Sequence, residues 1–274
     1  MPTAATLAEA LRPLCEDPSH SAILLDVDGT LAPIVRHASD ARVDEPTRAL
    51  LIEIAHRYGT VACVSGRPAA VAREIVAIDS IAYVGNHGCE RLAPGATQVE
   101  LDPEVAPWIE RIRAFAATTE TPETPELGRL GVRFEDKGPI AAFHWRGAPD
   151  EDAALAALRE VEAEARARGF DIHWGRKVLE VRPPLPIDKG RGVEGLLAAP
   201  VGRAASGEEI ARGLYMGDDL TDIDAFRGLR AALDDGALCV GVGSDETPPE
   251  LDQAADLMVD GAAGVREVLQ GLLR

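Results

Sequence analysis

The sequence predicts an α/β fold: a parallel sheet flanked by helices, with an α+β unit inserted into it. Three observations carry that expectation. Apolar runs of strand length alternate with helical patterns and end in turn-rich peptides, the signature of a parallel sheet. One such run, Ile23-Leu24-Leu25, leads straight into Asp26-Val27-Asp28-Gly29-Thr30. The middle of the chain then changes to strands, a helix and strands, until Pro183-Pro184-Leu185-Pro186 marks a boundary and the alternation resumes.

The elements follow in order. Leu7, Ala10, Leu11 and Leu14 recur at helical spacing, so an amphipathic helix covers residues 3–15. The run from Ile23 is a buried strand that stops at two aspartates one residue apart. Asp44-Glu45-Pro46 opens the next helix with an N-cap, a first-turn acid and an early proline. Leu50, Leu51, Ile54, Ala55 and Tyr58 mark its buried face, and Gly59 ends it. Residues 60–64 form a strand that finishes at Ser65-Gly66-Arg67-Pro68, and a helix over 69–77 precedes a strand over 81–84 that ends at Gly85-Asn86-His87-Gly88. Residues 129–146 read as paired strands turning at Asp136-Lys137-Gly138-Pro139. A helix over 150–168 and strands over 170–174 and 177–182 complete the middle. Beyond the prolines come a helix over 189–198, a strand over 214–216, a helix from Leu220, a strand over 238–242 and a terminal helix to 273. The expected division is a core over 1–88 and 186–274 with an α+β insert over 89–185.

The 274 residues can hold one large or two modest domains, and 46% apolar residues suffice for a substantial core. A net charge of −18 argues against nucleic acid or an anionic membrane as a partner. An anionic substrate must therefore be drawn in by local cations and a metal. Cys15, Cys63, Cys89 and Cys239 show no metal or disulfide spacing, and Cys63 and Cys239 read as small core residues. No signal-peptide pattern is visible, and no apolar stretch approaches the roughly 20 residues of a membrane span. The expected location is the cytoplasm.

In an open α/β sheet, ligands bind at the carboxyl ends of the strands. Asp26 is the candidate nucleophile, since carboxylates form aspartyl-phosphate intermediates. Asp28 is placed to protonate the leaving oxygen and later to deprotonate water. Ser65 can donate to a phosphate oxygen. Lys189, at a helix start, offers its ammonium and the helix N-terminus to the same phosphate. Gly217-Asp218-Asp219 supplies the oxygen ligands that magnesium prefers. A metal is required on charge grounds, because a phosphate group carries about −1.5 to −2 charges at pH 7 and Asp26 must attack it as an anion. Arg67 either contacts phosphate or pairs with a surface acid. Asp222 either orients water near Asp218 or is a first-turn helix acid. His144 and the tryptophans Trp108, Trp145 and Trp174 read as core residues.

Asp26 to Thr30, Ser65, Lys189 and Asp218-Asp219 fall in the order and strand-end context of the haloacid dehalogenase (HAD) superfamily of phosphotransferases, which the chain resembles. The resemblance implies a HAD-like Rossmannoid core with a cap domain. It also implies that Asp26, the backbone carbonyl of Asp28 and Asp218 ligate magnesium, with Asp219 as a water-mediated partner. Phe134-Glu135-Asp136-Lys137-Gly138, His144-Trp145-Arg146 and residues 175–183, together with residues 85–88 and 217–226, resemble trehalose-6-phosphate phosphatases. The similarity runs over residues 22–242 and is weakest at 94–127 and 199–212. By it, Glu135, Lys137 and Glu180 bind sugar hydroxyls, and Asn86, His87, Arg67, Arg146 and Arg176 join the substrate site. Arg176 stands where the family often has lysine; Leu220 and Ile223 stand where charged residues are common.

The implied activity is magnesium-dependent hydrolysis of trehalose 6-phosphate to trehalose and phosphate through an aspartyl-phosphate, the final step of trehalose biosynthesis. The expected enzyme is a monomer that takes a small sugar phosphate and has no nucleic-acid or membrane partner. The alternatives are a phosphatase for sucrose phosphate or glucosylglycerol phosphate, and a non-catalytic partner domain of a trehalose-synthesis complex. Intact Asp26, Asp28, Lys189 and Asp218 argue against the last of these.

Overall fold

The computed structural model describes residues 4–35, 40–119, 126–175, 177–199, 207, 209–244 and 247–274. Helix α1 (Ala4–Glu16) leads into β1 (Ser21–Leu25), followed by α2 (Glu45–Arg57), β2 (Thr60–Val64), α3 (Ala69–Val76), β3 (Ala82–Gly85), β4 (Glu90–Leu92) and β5 (Glu100–Leu101). The middle holds α4 (Ile109–Thr119), α5 (Glu126–Arg129), β6 (Arg133–Asp136), β7 (Ala141–His144), α6 (Glu151–Ala167), β8 (Asp171–Gly175) and β9 (Val178–Arg182). The last third holds α7 (Lys189–Ala198), β10 (Arg212–Gly217), α8 (Leu220–Leu233), β11 (Ala237–Gly243), α9 (Pro249–Ala254), β12 (Leu257–Asp260) and α10 (Gly261–Leu272). Two compact units result, one of Met1–Glu100 with Asp188–Arg274, the other of Leu101–Ile187.

The first unit is built on an eight-stranded sheet in the order β12-β11-β10-β1-β2-β3-β4-β5. Its strands run parallel from β12 through β3, and β4 is antiparallel to β3. Every residue of β1 and β2 is buried, as strands covered on both faces must be. Successive side chains go to opposite faces. Ile23, Leu25 and Cys63 enter a core with Leu11 of α1, Ile54 of α2, Ile75 of α3 and Leu269 of α10. Ala22, Leu24 and Val64 enter the other, with Val193 of α7 and Phe226 of α8. From β1 the chain winds to β2 and β3 on one side, and from β10 to β11 and β12 on the other. The order therefore reverses between β1 and β10, where an open sheet leaves a crevice at the carboxyl ends of its strands. Asp26 follows β1 and Asp218 follows β10, and the amide of Asp26 donates to the carbonyl of Met216 at 2.8 Å.

Two expectations about elements change. The sheet continues past residue 89, because Glu90 and Leu92 of β4 pair with Gly85 and Tyr83 of β3. The chain after β11 is no direct run into a terminal helix. The helix α9 and the short edge strand β12 intervene, and β12 buries only Val259 fully, so its apolar signal is faint.

The second unit is a four-stranded antiparallel sheet in the order β6-β7-β9-β8. Phe143, Leu179, Val181 and Ile172 turn to one face and pack with Phe115 of α4 and Leu158 of α6. Trp145 meets Trp174 edge-on at 5.5 Å between ring centroids, and Trp108 meets Phe170 at 6.2 Å. The tryptophans thus belong to this core and its margin, as their sequence context suggested. The turn between β6 and β7 closes through the amide of Lys137 and the carbonyl of Ile140, with Gly138 at φ +81°. No helix among the described residues is long and apolar enough to cross a membrane.

Candidate active site

The peptide after β1 turns back at once. The amides of Leu31 and Ala32 both donate to the carbonyl of Val27, at 3.0 and 2.8 Å. Gly29 has φ +89°, and a Cβ there would collide with the carboxylate of Asp218. Glycine is needed at this position for both reasons. The turn holds Asp26 almost wholly buried, 3% exposed, and brings it beside Asp218 and Asp222. Each of the three offers an oxygen within 4.8 Å of the others.

Lys189 sits at the first turn of α7, whose N-cap Asp188 accepts from the amide of Arg191 at 2.8 Å. The Lys189 ammonium is buried and donates to Asp26 Oδ1 and Asp222 Oδ1, at 2.7 Å each. Burial opposes its charge, but the Asp222 and Asp26 carboxylates outweigh that cost and raise its pKa well above the usual lysine value. It stays a cation at neutral pH. The second oxygen of Asp26, Oδ2, is buried without a hydrogen-bond partner. An acceptor of that kind costs free energy unless a cation or an electrophile completes it.

Asp222 is wholly buried and fully engaged. Its Oδ1 accepts from Lys189 and from the Tyr215 hydroxyl at 2.8 Å, and its Oδ2 accepts from the amides of Asp218 and Asp219 at 2.9 and 3.0 Å. It is therefore an anchor for its neighbours rather than a free ligand or a water-orienting acid. Asp219 caps α8, its Oδ1 accepting from the amide and hydroxyl of Thr221 at 2.8 and 2.6 Å. Asp218 keeps its carboxylate for other work. Burial, then the charges of Asp222 and Asp219, push its pKa up to about 7.

Of the expected metal carboxylates, the structure therefore gathers Asp26 and Asp218. It commits Asp219 to the helix cap; from Asp28 the expected ligand is the backbone carbonyl, and its side chain pairs with Arg67. That last pair is bidentate, Arg67 Nε to Asp28 Oδ2 and Arg67 Nη2 to Asp28 Oδ1, both at 2.6 Å. In this structure Arg67 thus pairs with an acid, Asp28.

Two strand-end turns complete the first unit's site. Ser65, 1% exposed, accepts from the amide of Arg67 through its hydroxyl oxygen at 3.1 Å. The amide of Asn86 donates to the carbonyl of Arg67 at 2.8 Å, and that of His87 to the carbonyl of Ser65 at 3.1 Å. Asn86 and His87 take left-handed φ values of 49° and 57°, uncommon for residues with side chains. The His87 ring lies against Gly66, where a Cβ would approach Nε2 to 2.7 Å.

In the second unit, Glu135, Ala142, Glu180 and His173 stand opposite one another across β6, β7, β9 and β8. Glu180 is 3% exposed, and its Oε1 accepts from Lys137 Nζ at 2.9 Å while its Oε2 accepts from Arg182 Nε at 3.0 Å. Glu135 pairs with His144 Nε2 at 2.8 Å. The hydrogen bond to His144, helped by the Lys137 charge, holds the Glu135 carboxyl below its usual range. His144 thus lies on the polar face rather than in the core. Arg146 is exposed in the turn after β7, and Arg176 lies outside the described residues.

Sequence reading passed over Tyr215, Arg182 and the anchoring role of Asp222. Arg182 had a signal, since it stands two residues after Glu180 on one strand and so shares its face. Tyr215 had none, because an apolar strand residue reads as core until its hydroxyl finds a partner.

Residues 24–258 match the trehalose-phosphatase family. The chain is 34% identical over 216 residues to a trehalose-phosphate phosphatase of Mycobacterium avium, covering 77% of this chain and 52% of that protein. It is 33% identical over 211 residues to an uncharacterized glycosyl hydrolase of Mycobacterium tuberculosis, covering 76% of this chain and 15% of that protein. The chain thus spans about half the length of the first of these relatives and a small part of the second. The solved C-terminal domain of a Candida albicans trehalose-6-phosphate phosphatase superimposes with a TM-score of 0.71 at 23% identity, covering 99% of this chain and 96% of that one. That likeness extends to the whole fold, including the second unit.

Proposed function

This chain belongs to the trehalose-phosphatase family, and from that premise we propose that it hydrolyses trehalose 6-phosphate to trehalose and phosphate, with magnesium and through a phosphorylated Asp26. The observation that carries the reading is the buried, unpartnered Oδ2 of Asp26, next to a carboxylate held free and a lysine held charged.

The donor set suits a small hard cation. Asp26 and Asp218 present carboxylate oxygens, and magnesium takes one or two of these beside substrate phosphate and water. Asp26, the backbone carbonyl of Asp28 and Asp218 would hold it. When bound, it offsets the charge on the phosphoryl oxygens and on Asp26.

The residues then divide the work. Lys189 fixes Asp26 by Oδ1 and leaves Oδ2 to attack phosphorus. The Asp26–phosphorus bond forms as the bond to the sugar oxygen breaks, and that oxygen takes a proton from Asp28. Asp28 must part from Arg67 to do so. Water next attacks phosphorus and gives a proton to Asp28, the bond to Asp26 breaks, and phosphate leaves. Lys189 and the strand-end turns at Ser65 and His87 stabilise the charge that spreads over the phosphoryl oxygens. The polar face of the second unit, with Glu135, Lys137 and Glu180, supplies paired groups for sugar hydroxyls. A sugar lacking those hydroxyls leaves the groups unsatisfied, which is how such a site rejects analogues.

The test is phosphate release from trehalose 6-phosphate, sucrose phosphate and glucosylglycerol phosphate, each with magnesium and with a chelator. The expected result is a strong preference for trehalose 6-phosphate and loss of turnover on chelation. Equal rates on all three substrates overturn the trehalose assignment, and full activity in chelator overturns the metal.

A further inference from the structure

Glu90 lies outside the machinery described so far. It is an acid at the start of β4, yet it is only 8% exposed, and burying a carboxylate requires strong partners. Its Oε1 accepts from the amide of Ala69 at 2.6 Å, and its carboxylate also binds the side chain of Asn86. Ala69 opens α3, a helix whose N-cap, Pro68, has no side chain able to satisfy the first amides. Glu90 therefore caps α3 from another strand. Space has been kept for this: a Cβ on Gly85 would come within 2.7 Å of Glu90 Oε1 and collide with the amide of Ala69.

The cap joins two turns. One is Ser65-Gly66-Arg67-Pro68, which ends in α3. The other is Asn86-His87-Gly88, where three successive residues have positive φ. Backbone hydrogen bonds from Asn86 to Arg67 and from His87 to Ser65 already tie them, and Glu90 closes the ring by holding Ala69 and the Asn86 side chain together. Strain in the left-handed pair persists only where the surroundings over-determine it. Glu90 is a main part of those surroundings.

We propose that Glu90 is a positioning residue for phosphoryl transfer, clamping the turns after β2 and β3 so that Ser65, Arg67 and His87 keep their places around the reacting phosphate. It acts through Ala69 and Asn86 and touches no substrate. The inference rests on the phosphatase reading, but not on the identity of the sugar.

The experiment uses p-nitrophenyl phosphate with magnesium and compares the full chain with Glu90→Gln, Glu90→Asp and Glu90→Ala, recording kcat, KM and melting temperature. Glutamine keeps an acceptor for Ala69 and donates to Asn86 Oδ1 once that amide rotates, so E90Q should stay near the wild-type kcat. Aspartate keeps the charge but withdraws the oxygen by one methylene. E90D and E90A should therefore lose about tenfold to a hundredfold in kcat, the range for groups that orient site ligands, with little change in KM. Should E90A fail to fold, the E90D and E90Q pair decides. A wild-type kcat in E90D with only a lower melting temperature overturns the proposal, as does an equal loss in E90Q. Absence of any phosphate-ester turnover by the wild type is a different failure: it retires the phosphatase reading and this inference with it.

Discussion

The nucleophile is defined by what its two oxygens do. Asp26 Oδ1 is taken by Lys189, and Oδ2 is left over. Asp26→Asn keeps an oxygen for Lys189 and removes the anion, so phosphate release should fall to background while the circular dichroism spectrum is unchanged. Retained turnover would remove Asp26 as the attacking group. Tyr215 allows a finer test, because among the described residues its hydroxyl bonds only to Asp222, at 2.8 Å, while its ring packs on Phe226. Tyr215→Phe preserves that packing and removes one hydrogen bond to a charged acceptor, so denaturant unfolding should show a loss of about 1.5–3 kcal/mol. Asp222 then holds Lys189 less firmly, and kcat should drop about tenfold, equivalent to about 1.4 kcal/mol of barrier. A stability loss with kcat intact would confine Tyr215 to folding. Asp26, Ser65, Lys189 and Asp218 were legible in the sequence because each ends a strand or opens a helix. The Asp28–Arg67 pair and the saturation of Asp222 were not, since both depend on partners brought close only by the sheet.

Among the elements, α7 and α8 meet more closely than side chains would permit. A Cβ on Gly190 would run into the carbonyl of Asp224, and one on Gly228 would run into Gly190. Gly190→Ala should therefore force the helices apart at an overpacking cost of about 1–3 kcal/mol. It should lower turnover as well, because Lys189 is the neighbouring residue; equilibrium unfolding beside phosphate release would show both effects. Alanine at Gly195 meets open space and should cost no turnover. In the second unit, β9 places Glu180 between Lys137 and Arg182. Glu180→Ala should cut turnover of trehalose 6-phosphate far more than that of p-nitrophenyl phosphate, and equal losses would show that this strand does not read the sugar. The eleven-residue α4 was not readable, but most long elements with complete signals were. Asp44, for example, caps α2 through the amide of Thr47 at 2.9 Å, as its place before Glu45-Pro46 suggested. β4, β5, β12 and α9 escaped notice because elements this short hold too few residues for a periodic pattern to emerge.

At the scale of the whole molecule, the surplus of acid sets how stability responds to pH and to cations. The chain carries a net charge of −18 and, within the first unit, buries Asp26, Asp218 and Asp222 together. Burial and the neighbouring Asp222 and Asp219 charges push the Asp218 carboxyl up to about 7 from an ordinary 3.8. Its folded pKa is raised, so its favourable contribution is complete below about pH 4 and is lost as pH rises through about 7. Magnesium needs the ionised form and therefore opposes this loss more as pH increases. At pH 5 the melting temperature should respond weakly to magnesium; at pH 8 it should rise clearly, a hundredfold excess over Kd being worth about 2.7 kcal/mol. Sodium chloride at matched ionic strength is the necessary control, because screening alone relieves repulsion among exposed carboxylates. A magnesium shift no larger than the sodium shift, or one equal at pH 5 and pH 8, would place the cation on the surface and overturn the metal site proposed at Asp26 and Asp218.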